Sequence, residues 1–222
     1  MPPKFLNYPV RQPINPTNLF GANPAEYEPL GQKGHPGNDF EAPSATPLYA
    51  PCDGDAFYTF DSIGGDGLWI RTPSNAAPQF NIILWHMYPK GTKVTLPDGS
   101  TDDAFKIPTD GSVTHVTTGQ LLGYTDNSGY PKESTGPHLH LGVMPCDLTG
   151  AALNRDNGYL GCVDPTPYYT GEYAQDIPLK EQVVTKTAAV VSLVSQATDA
   201  QISHQEKLTI LEQIETFLKT IL

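Results

Sequence analysis

The stretch that decides the fold is STGPHLHLG, residues 134–142. It places two histidines, His138 and His140, one residue apart among residues that favour β-structure. Successive side chains of a strand point to opposite faces, so residues i and i+2 share a face. If the stretch is a strand, both imidazoles project from one side, which suits a metal site or a proton-transfer site. An H-x-H pair alone is a weak signal, because such a pair is more often structural.

Short apolar runs separated by turn residues surround this stretch and predict a mainly β domain. The runs lie at 46–51, 56–60, 68–72, 80–87, 120–124 and 138–144. The turns between them carry sequences such as DGD, GGDG and PDG, which are typical of connections between strands. A polar insertion at about 88–113 holds several glycines and prolines, and we expect it to be loop-rich and solvent-exposed.

The two ends of the chain differ from its middle. Residues 1–33 are rich in proline and asparagine and predict a loop-rich entry segment before a domain at 34–170. Residues 179–222 contain neither proline nor glycine, and their apolar residues recur at helical spacing with a break near 198–203. We expect a helical tail that either packs on its own domain or serves docking or oligomerisation.

The overall composition limits the possible functions. The formal net charge of −11 argues against nucleic-acid binding as the main activity, because such binding rests on basic patches. The sequence contains no run of about 18 apolar residues, so it predicts no membrane span. The N-terminus lacks the apolar core of a signal peptide. We expect Cys52, Cys146 and Cys162 to be reduced or buried thiols, with a Cys146–Cys162 disulfide as the alternative.

Two other segments supply partners for the histidine pair. GQKGHPGNDF, which we expect to be a glycine-rich loop, contributes His35 and Asp39, and NIILWHMY contributes His86 near the end of an apolar strand. Zn²⁺ takes imidazole nitrogens and carboxylate oxygens, and a catalytic zinc site uses three protein ligands plus water. His35, Asp39 and one histidine of the pair would form such a site. The other histidine of the pair and His86 would then handle protons in a metal-assisted hydrolysis.

Each piece also has an ordinary structural interpretation. An H-x-x-x-D in a loop is most often a surface turn, and a lone histidine such as His86 is most often structural. Four of the six histidines nevertheless fall in these three segments, each flanked by Gly or Pro, and this co-occurrence favours a shared site. The remaining two, His115 and His204, have no such partners and are predicted to lie at the surface.

The ordered motifs resemble the lysostaphin-type zinc metallopeptidases, also called the LytM or duplicated-hybrid-motif family, which cleave peptide bonds of bacterial peptidoglycan. The resemblance runs from about Tyr8 to Tyr169. HPGND resembles the family's H-x-G-x-D, PSATPLYA the strand after it, NIILWHM the strand with a catalytic histidine, and GQLLGY and STGPHLHLG the closing elements. The resemblance implies an antiparallel β-sheet peptidase core that is barrel- or sandwich-like.

The resemblance also implies a division of roles among the site residues. His35, Asp39 and His140 would ligate Zn²⁺, and His138 and His86 would be the catalytic pair that activates water. The protein would then be a zinc endopeptidase acting on the stem peptides or cross-bridges of peptidoglycan. The alternative is a non-catalytic cell-wall-binding or structural virion protein that keeps the fold.

The chain departs from the family pattern at three places. Ala45 stands where the family often has glycine, the segment Lys90–Val113 is longer, and Cys146 to Cys162 forms another extension, so substrate specificity is not carried over. Together with the missing signal peptide, the resemblance predicts a bacteriophage enzyme in the virion tail or in the host cytoplasm before release. Its helical segment at 179–222 would attach it to tail proteins or to a second copy.

Overall fold

The computed structural model describes residues 2–73, 78–129, 134 and 136–178. Residues Met1–Gln175 form one compact unit, and Asp176–Leu222 are assigned to a second. The helices predicted at 179–222, including His204, lie outside the described residues. No helix in the described ranges has the length and apolar character needed to cross a membrane.

Strands dominate the described chain, which confirms the mainly β prediction. One short helix, α1, spans Pro24–Tyr27, and 3₁₀ turns lie at Glu28–Leu30, Thr166–Tyr168 and Ala174–Asp176. The strands are β1 (Leu6–Tyr8), β2 (Asn38–Phe40), β3 (Pro47–Tyr49), β4 (Gly54–Asp61), β5 (Gly65–Arg71), β6 (Gln79–Trp85), β7 (Lys93–Thr95), β8 (Thr101–Asp103), β9 (Thr114–Val116), β10 (Leu121–Tyr124), β11 (Leu139–Cys146) and β12 (Tyr169–Tyr173).

A six-stranded antiparallel sheet, in the order β2-β11-β6-β5-β4-β9, forms the centre of the fold. Strands β3 and β10 form a second antiparallel pair, and β7 and β8 form a hairpin. Strand β1 pairs with β12 in parallel, so the two ends of the compact unit meet. The predicted antiparallel sheet is confirmed, with the six strands of the large sheet carrying the core.

Alternation along the strands separates two apolar layers on the large sheet. In β6, Ile82 and Leu84 belong to the main core, while Ile83 and Trp85 belong to a smaller cluster on the opposite face. Both faces are therefore covered, and every residue of β6 is buried. This explains why the segment reads as a continuous apolar run instead of an alternating one.

The structure corrects the prediction for the insertion at 88–113. It contains the β7–β8 hairpin, and the main core includes its side chains Val94, Ala104, Phe105 and Ile107. The prediction of an exposed loop was therefore wrong for its apolar residues. These four are spread among turn residues, so they form no run or period that indicates burial. Val113, at the end of the insertion, is 63% exposed.

Two smaller features complete the fold. Residues 2–33 are largely without regular structure, but Leu6 and Val10 lie in the main core. The boundary between 33 and 34 stays a prediction.

The three cysteines are buried free thiols, and burial raises the pKa of Cys162 to about 12, with Arg155 opposing that rise.

Candidate metal centre and active site

The site is built on one row of residues across three adjacent strands. Asp39 of β2 pairs with His140 of β11, and His140 pairs with Trp85 of β6. Residues in register on neighbouring strands project to the same face, about 4.5–5.5 Å apart at Cβ. Asp39 was predicted in a glycine-rich loop, but it lies in the short strand β2, and this pairing holds its carboxylate beside His140.

Three buried side chains converge at this row. His35 Nε2 and His140 Nδ1 each lie 3.2 Å from Asp39 Oδ1, and the two nitrogens are 2.9 Å apart. The three ligand atoms all lie within 4.8 Å of one another. Two imidazole nitrogens and a carboxylate oxygen are a donor set that suits Zn²⁺ with a position left open for water. The residues therefore fit the metal that the sequence predicts.

Backbone hydrogen bonds fix the two residues that come from the N-terminal half. His35 donates its N–H to Ala22 O at 2.9 Å, and Gly21 N–H donates to His35 O at 2.8 Å. Asp39 is held through its backbone by Asn15 and Asn18, and Asn18 Nδ2 also donates to Asp39 Oδ2. The entry segment therefore orients the ligands, a contribution that its loop-like sequence did not reveal.

The electrostatics of the cluster favour the protonation states that metal binding requires. Burial opposes ionisation of Asp39, but hydrogen bonds from His140 and His35 outweigh it and hold the pKa of this carboxyl well below its usual range. Burial lowers the pKa of His140 to about 4, against the effect of Asp39. A carboxylate and a neutral imidazole are the forms that coordinate a metal.

His86 reaches the same site through an unusual backbone conformation. It follows the last residue of β6 and has φ +64°, in the left-handed region. In a continuing strand, His86 would face away from Trp85. The left-handed turn lets both residues face the site: Trp85 stacks on His140 at 5.0 Å, and the His86 ring lies 4.4 Å from that of His138. The predicted strand at 80–87 therefore ends at Trp85.

His138 and His86 are held in the same way. His138 Nδ1 lies 2.8 Å from Gly136 O, and His86 Nδ1 lies 2.7 Å from Ser128 O. A carbonyl oxygen only accepts, so each Nδ1 carries the proton and each Nε2 keeps its lone pair when the ring is neutral. Burial, with repulsion from neighbouring histidines, lowers the pKa of His86 to about 3.

His138 and His140 share a face, as the sequence predicts. His138 Nε2 lies 3.5 Å from Asp39 Oδ2, while His140 Nδ1 contacts Asp39 Oδ1. Leu139, between them, is fully buried in the main core on the other face. The structure thus brings together all five predicted site residues. His115 is exposed, as predicted, although it does have a partner, Asp55 Oδ1 at 3.2 Å.

Sequence reasoning missed the residues that support the histidine rings. Trp85 stacks on His140 with an interplanar angle of 23°. A Cβ at Gly37 would lie 2.8 Å from His140 Nε2, and a Cβ at Gly64 would lie 2.3 Å from the Trp85 ring. Both positions therefore need glycine because of close packing. The position of Trp85 beside His86 on one strand could have marked it as a residue near the site. Its contact with His140 could not be predicted, because it depends on the register between neighbouring strands.

The five residues line an open groove of about 670 Å³. Its walls combine apolar side chains, among them Ile63, Leu30 and Leu160, with the polar site residues. A cleft of this volume lies in the range of ligand-binding sites in proteins, so it can hold a segment of a substrate beside the five residues.

Comparisons with known proteins give structural likenesses only. No protein-family model matches the sequence, and no curated protein matches it. The chain is similar to the catalytic domain of the antimicrobial peptidase lysostaphin from Staphylococcus simulans, at 18% identity and a TM-score of 0.43, covering 74% of this chain and 87% of that one.

Two further structures are similar to the chain. The catalytic domain of the prophage-encoded M23 protein EnpA from Enterococcus faecalis, in a point-mutant form, is 24% identical with a TM-score of 0.47, covering 73% of this chain and 97% of that one. A zinc-containing peptidase from Vibrio cholerae is 20% identical with a TM-score of 0.42, covering 73% of this chain and 39% of that one.

Proposed function

We propose that the protein is a zinc-dependent endopeptidase that hydrolyses peptide bonds of bacterial peptidoglycan. The observation that carries this proposal is the convergence of His35, Asp39 and His140 beside two further imidazoles, His138 and His86, in an open groove. Three ligands plus two proton-handling groups are what metal-assisted hydrolysis requires. The choice of peptidoglycan rests on the motifs of the sequence, above all STGPHLHLG.

The side chains divide the chemistry between them. Zinc, when bound by His35, Asp39 and His140, supplies Lewis acidity that polarises the scissile carbonyl and acidifies the attacking water. His138 Nε2, the nitrogen that keeps its lone pair in the neutral ring, is turned toward Asp39; it accepts the proton of that water and returns it to the leaving amine. His86 Nε2, beside the His138 ring, shares this task or, once protonated, donates to the developing oxyanion.

Hydrolysis of purified peptidoglycan tests the proposal, with release of new amino groups as the readout. His138→Ala and His86→Ala should each lower the rate about 10²–10⁴-fold, because each removes a general acid–base group. The control is His115→Ala, which changes an exposed histidine outside the groove and should leave the rate unchanged. A chelator should abolish the wild-type rate, and added zinc should restore it.

The alternative function gives the opposite pattern. A non-catalytic wall-binding or virion protein would sediment with peptidoglycan but release no amino groups, with or without zinc. Near-wild-type turnover in His138→Ala would instead show that His138 does not transfer the proton, and would leave the rest of the proposed function unchanged.

We also propose a setting for the enzyme: a bacteriophage product that opens the wall as part of the virion tail or is released at lysis. Support comes from the resemblance and from the amphipathic pattern at 179–222, which would dock to a tail protein or to a second copy. Light scattering of the full chain, and detection of the protein in purified particles, test this. A monomer that is absent from particles would contradict the virion role and the docking through 179–222, and would leave only release at lysis.

A further inference from the structure

His35 is satisfied on only one side of its ring. Its Nε2 faces Asp39 and His140, whereas its Nδ1 is buried and has no hydrogen-bond partner in the described part of the chain. A histidine that binds metal through Nε2 carries its proton on Nδ1. Such ligands nearly always donate that proton to an acceptor, which fixes the tautomer and the ring orientation. His35 therefore needs an acceptor beside Nδ1.

Gln32, three residues earlier, offers an acceptor of the right kind. Its side chain lines the same groove and is 93% buried, since its exposed fraction is 7%. Its Oε1 also has no hydrogen-bond partner among the described residues. Within the described lining of the groove, Gln32 and His35 are the two residues with a buried, unpaired side-chain polar atom, and the pair can be one acceptor and one donor.

Tyr27 contacts both residues. Its carbonyl accepts the backbone N–H of Gln32 at 3.1 Å, and its ring lies 5.5 Å from the ring of His35. The backbone between them is also fixed, because Lys33 donates to Gly158 O at 2.8 Å and His35 to Ala22 O at 2.9 Å. The backbone is therefore held in place, whereas no hydrogen bond restrains Gln32 Oε1 within the described residues.

We propose that Gln32 is a positioning residue of the metal centre, with its Oε1 accepting a hydrogen bond from His35 Nδ1–H when the metal is bound. The two atoms are not bonded in the structure, so the bond forms by rotation of the Gln32 side chain. It would keep the His35 Nε2 lone pair directed at the metal. This inference rests on the proposed function only in taking His35 as a ligand.

Zinc affinity, measured by competition with a chromophoric chelator, tests the role. Gln32→Met keeps the length of the side chain but removes the acceptor, and it should weaken zinc binding about 10–100-fold. Gln32→Glu keeps an acceptor oxygen, so its affinity should stay within about threefold of the wild type or increase. The matched control is Gln79→Met, which removes another buried, unpaired Oε1 at the far end of β6 and should leave zinc affinity unchanged.

Nitrogen-15 NMR of the histidine side chains gives a second readout, which does not depend on Gln32→Met folding. In the zinc-bound wild type, His35 should show a proton on Nδ1 that exchanges slowly with solvent, and Gln32→Glu should shift that signal. Wild-type zinc affinity in Gln32→Met, equal losses in Gln32→Met and Gln32→Glu, or no protected Nδ1 proton on His35 would each overturn the proposal.

His35→Ala separates this inference from the proposed function. If His35→Ala retains wild-type zinc binding, His35 is not a ligand, and both the metal centre and the role of Gln32 are overturned. If His35→Ala loses zinc while Gln32→Met binds it as tightly as the wild type, only the role of Gln32 is overturned.

Discussion

Ala45 and His86 take left-handed backbone conformations, with φ +66° and +64°, although neither is glycine. This conformation brings Cβ close to the following carbonyl oxygen and costs roughly 1–2 kcal/mol for an L-residue. At His86 the strain has a visible result, because the imidazole faces the site beside Trp85. At Ala45 the family that the sequence resembles often has glycine, and the positive φ gives the physical reason.

Ala45→Gly should stabilise the protein by about 0.5–1 kcal/mol, because relief of the left-handed strain exceeds the entropy that glycine adds to the unfolded chain. Chemical denaturation measures the change. Ala56→Gly is the control: Ala56 is fully buried in β4 and has no positive φ, so this variant should be less stable than the wild type. A loss of stability in Ala45→Gly would contradict the account of this turn.

His86→Gly and His86→Ala both remove the imidazole, so they isolate the effect of the backbone. Because φ is positive, the glycine variant should be the more stable of the two by about 0.5–1 kcal/mol, the reverse of the usual order in regular structure. Thermal unfolding of the two variants side by side gives the answer. A more stable alanine variant would show that the left-handed turn does not persist.

The candidate site was largely predictable at this scale, because its signals are local. His138 and His140 share a face through strand periodicity, and HPGND places His35 and Asp39 in one short segment. The orientation of His86 was not predictable, since alternation along β6 would turn it away from the site. A single φ angle decides it, and the enrichment of histidine in the left-handed region is too weak to predict that conformation at one position.

At the scale of elements, the strands with continuous or alternating apolar runs were found, with ends shifted by a few residues. β1, β2, β7, β8, β9 and β12 were missed, each three to five residues long. A segment this short shows no period of its own, and its partner strand supplies most of its stabilisation. Because β2 was missed, the position of Asp39 was not explained by the sequence: the pairing of β2 with β11 places Asp39 beside His140.

The β7–β8 hairpin gives a test at this scale. Val94, on β7, is fully buried, whereas Val113, at the end of the same insertion, is 63% exposed. Val94→Ala should lower the free energy of unfolding by about 1.5–2.5 kcal/mol, because it removes buried apolar area and leaves a cavity. Val113→Ala should change it by less than about 0.5 kcal/mol. Equal effects of the two substitutions on the free energy of unfolding, measured by chemical denaturation, would contradict the burial of Val94 and would support a solvent-exposed loop.

At the scale of the whole molecule, the buried histidines make stability depend on pH. In the folded protein the pKa of His86 falls to about 3 and that of His140 to about 4, from an ordinary value of 6.5. Below pH 6.5 the unfolded chain therefore binds protons that the folded chain does not, and stability decreases as the pH falls. Asp39 adds to the loss at lower pH, because its pKa is also held down in the folded state.

Denaturation of the zinc-stripped protein at about pH 7, 5 and 4 should therefore show a steady loss of stability. His86→Ala should show a smaller loss across the same range, because it removes one of the groups responsible. Stability that stays constant between about pH 7 and 4 would contradict the burial and neutrality of these imidazoles.

The most direct test of the central claim is the zinc stoichiometry of two variants of STGPHLHLG. We assign His140 to the metal and His138 to proton transfer, although the two residues lie two positions apart and both contact Asp39. Calorimetric titration should find one zinc per chain in the wild type, one in His138→Ala and none in His140→Ala, with His115→Ala as the control that keeps its zinc. Stoichiometric, tightly bound zinc in His140→Ala would contradict the assignment.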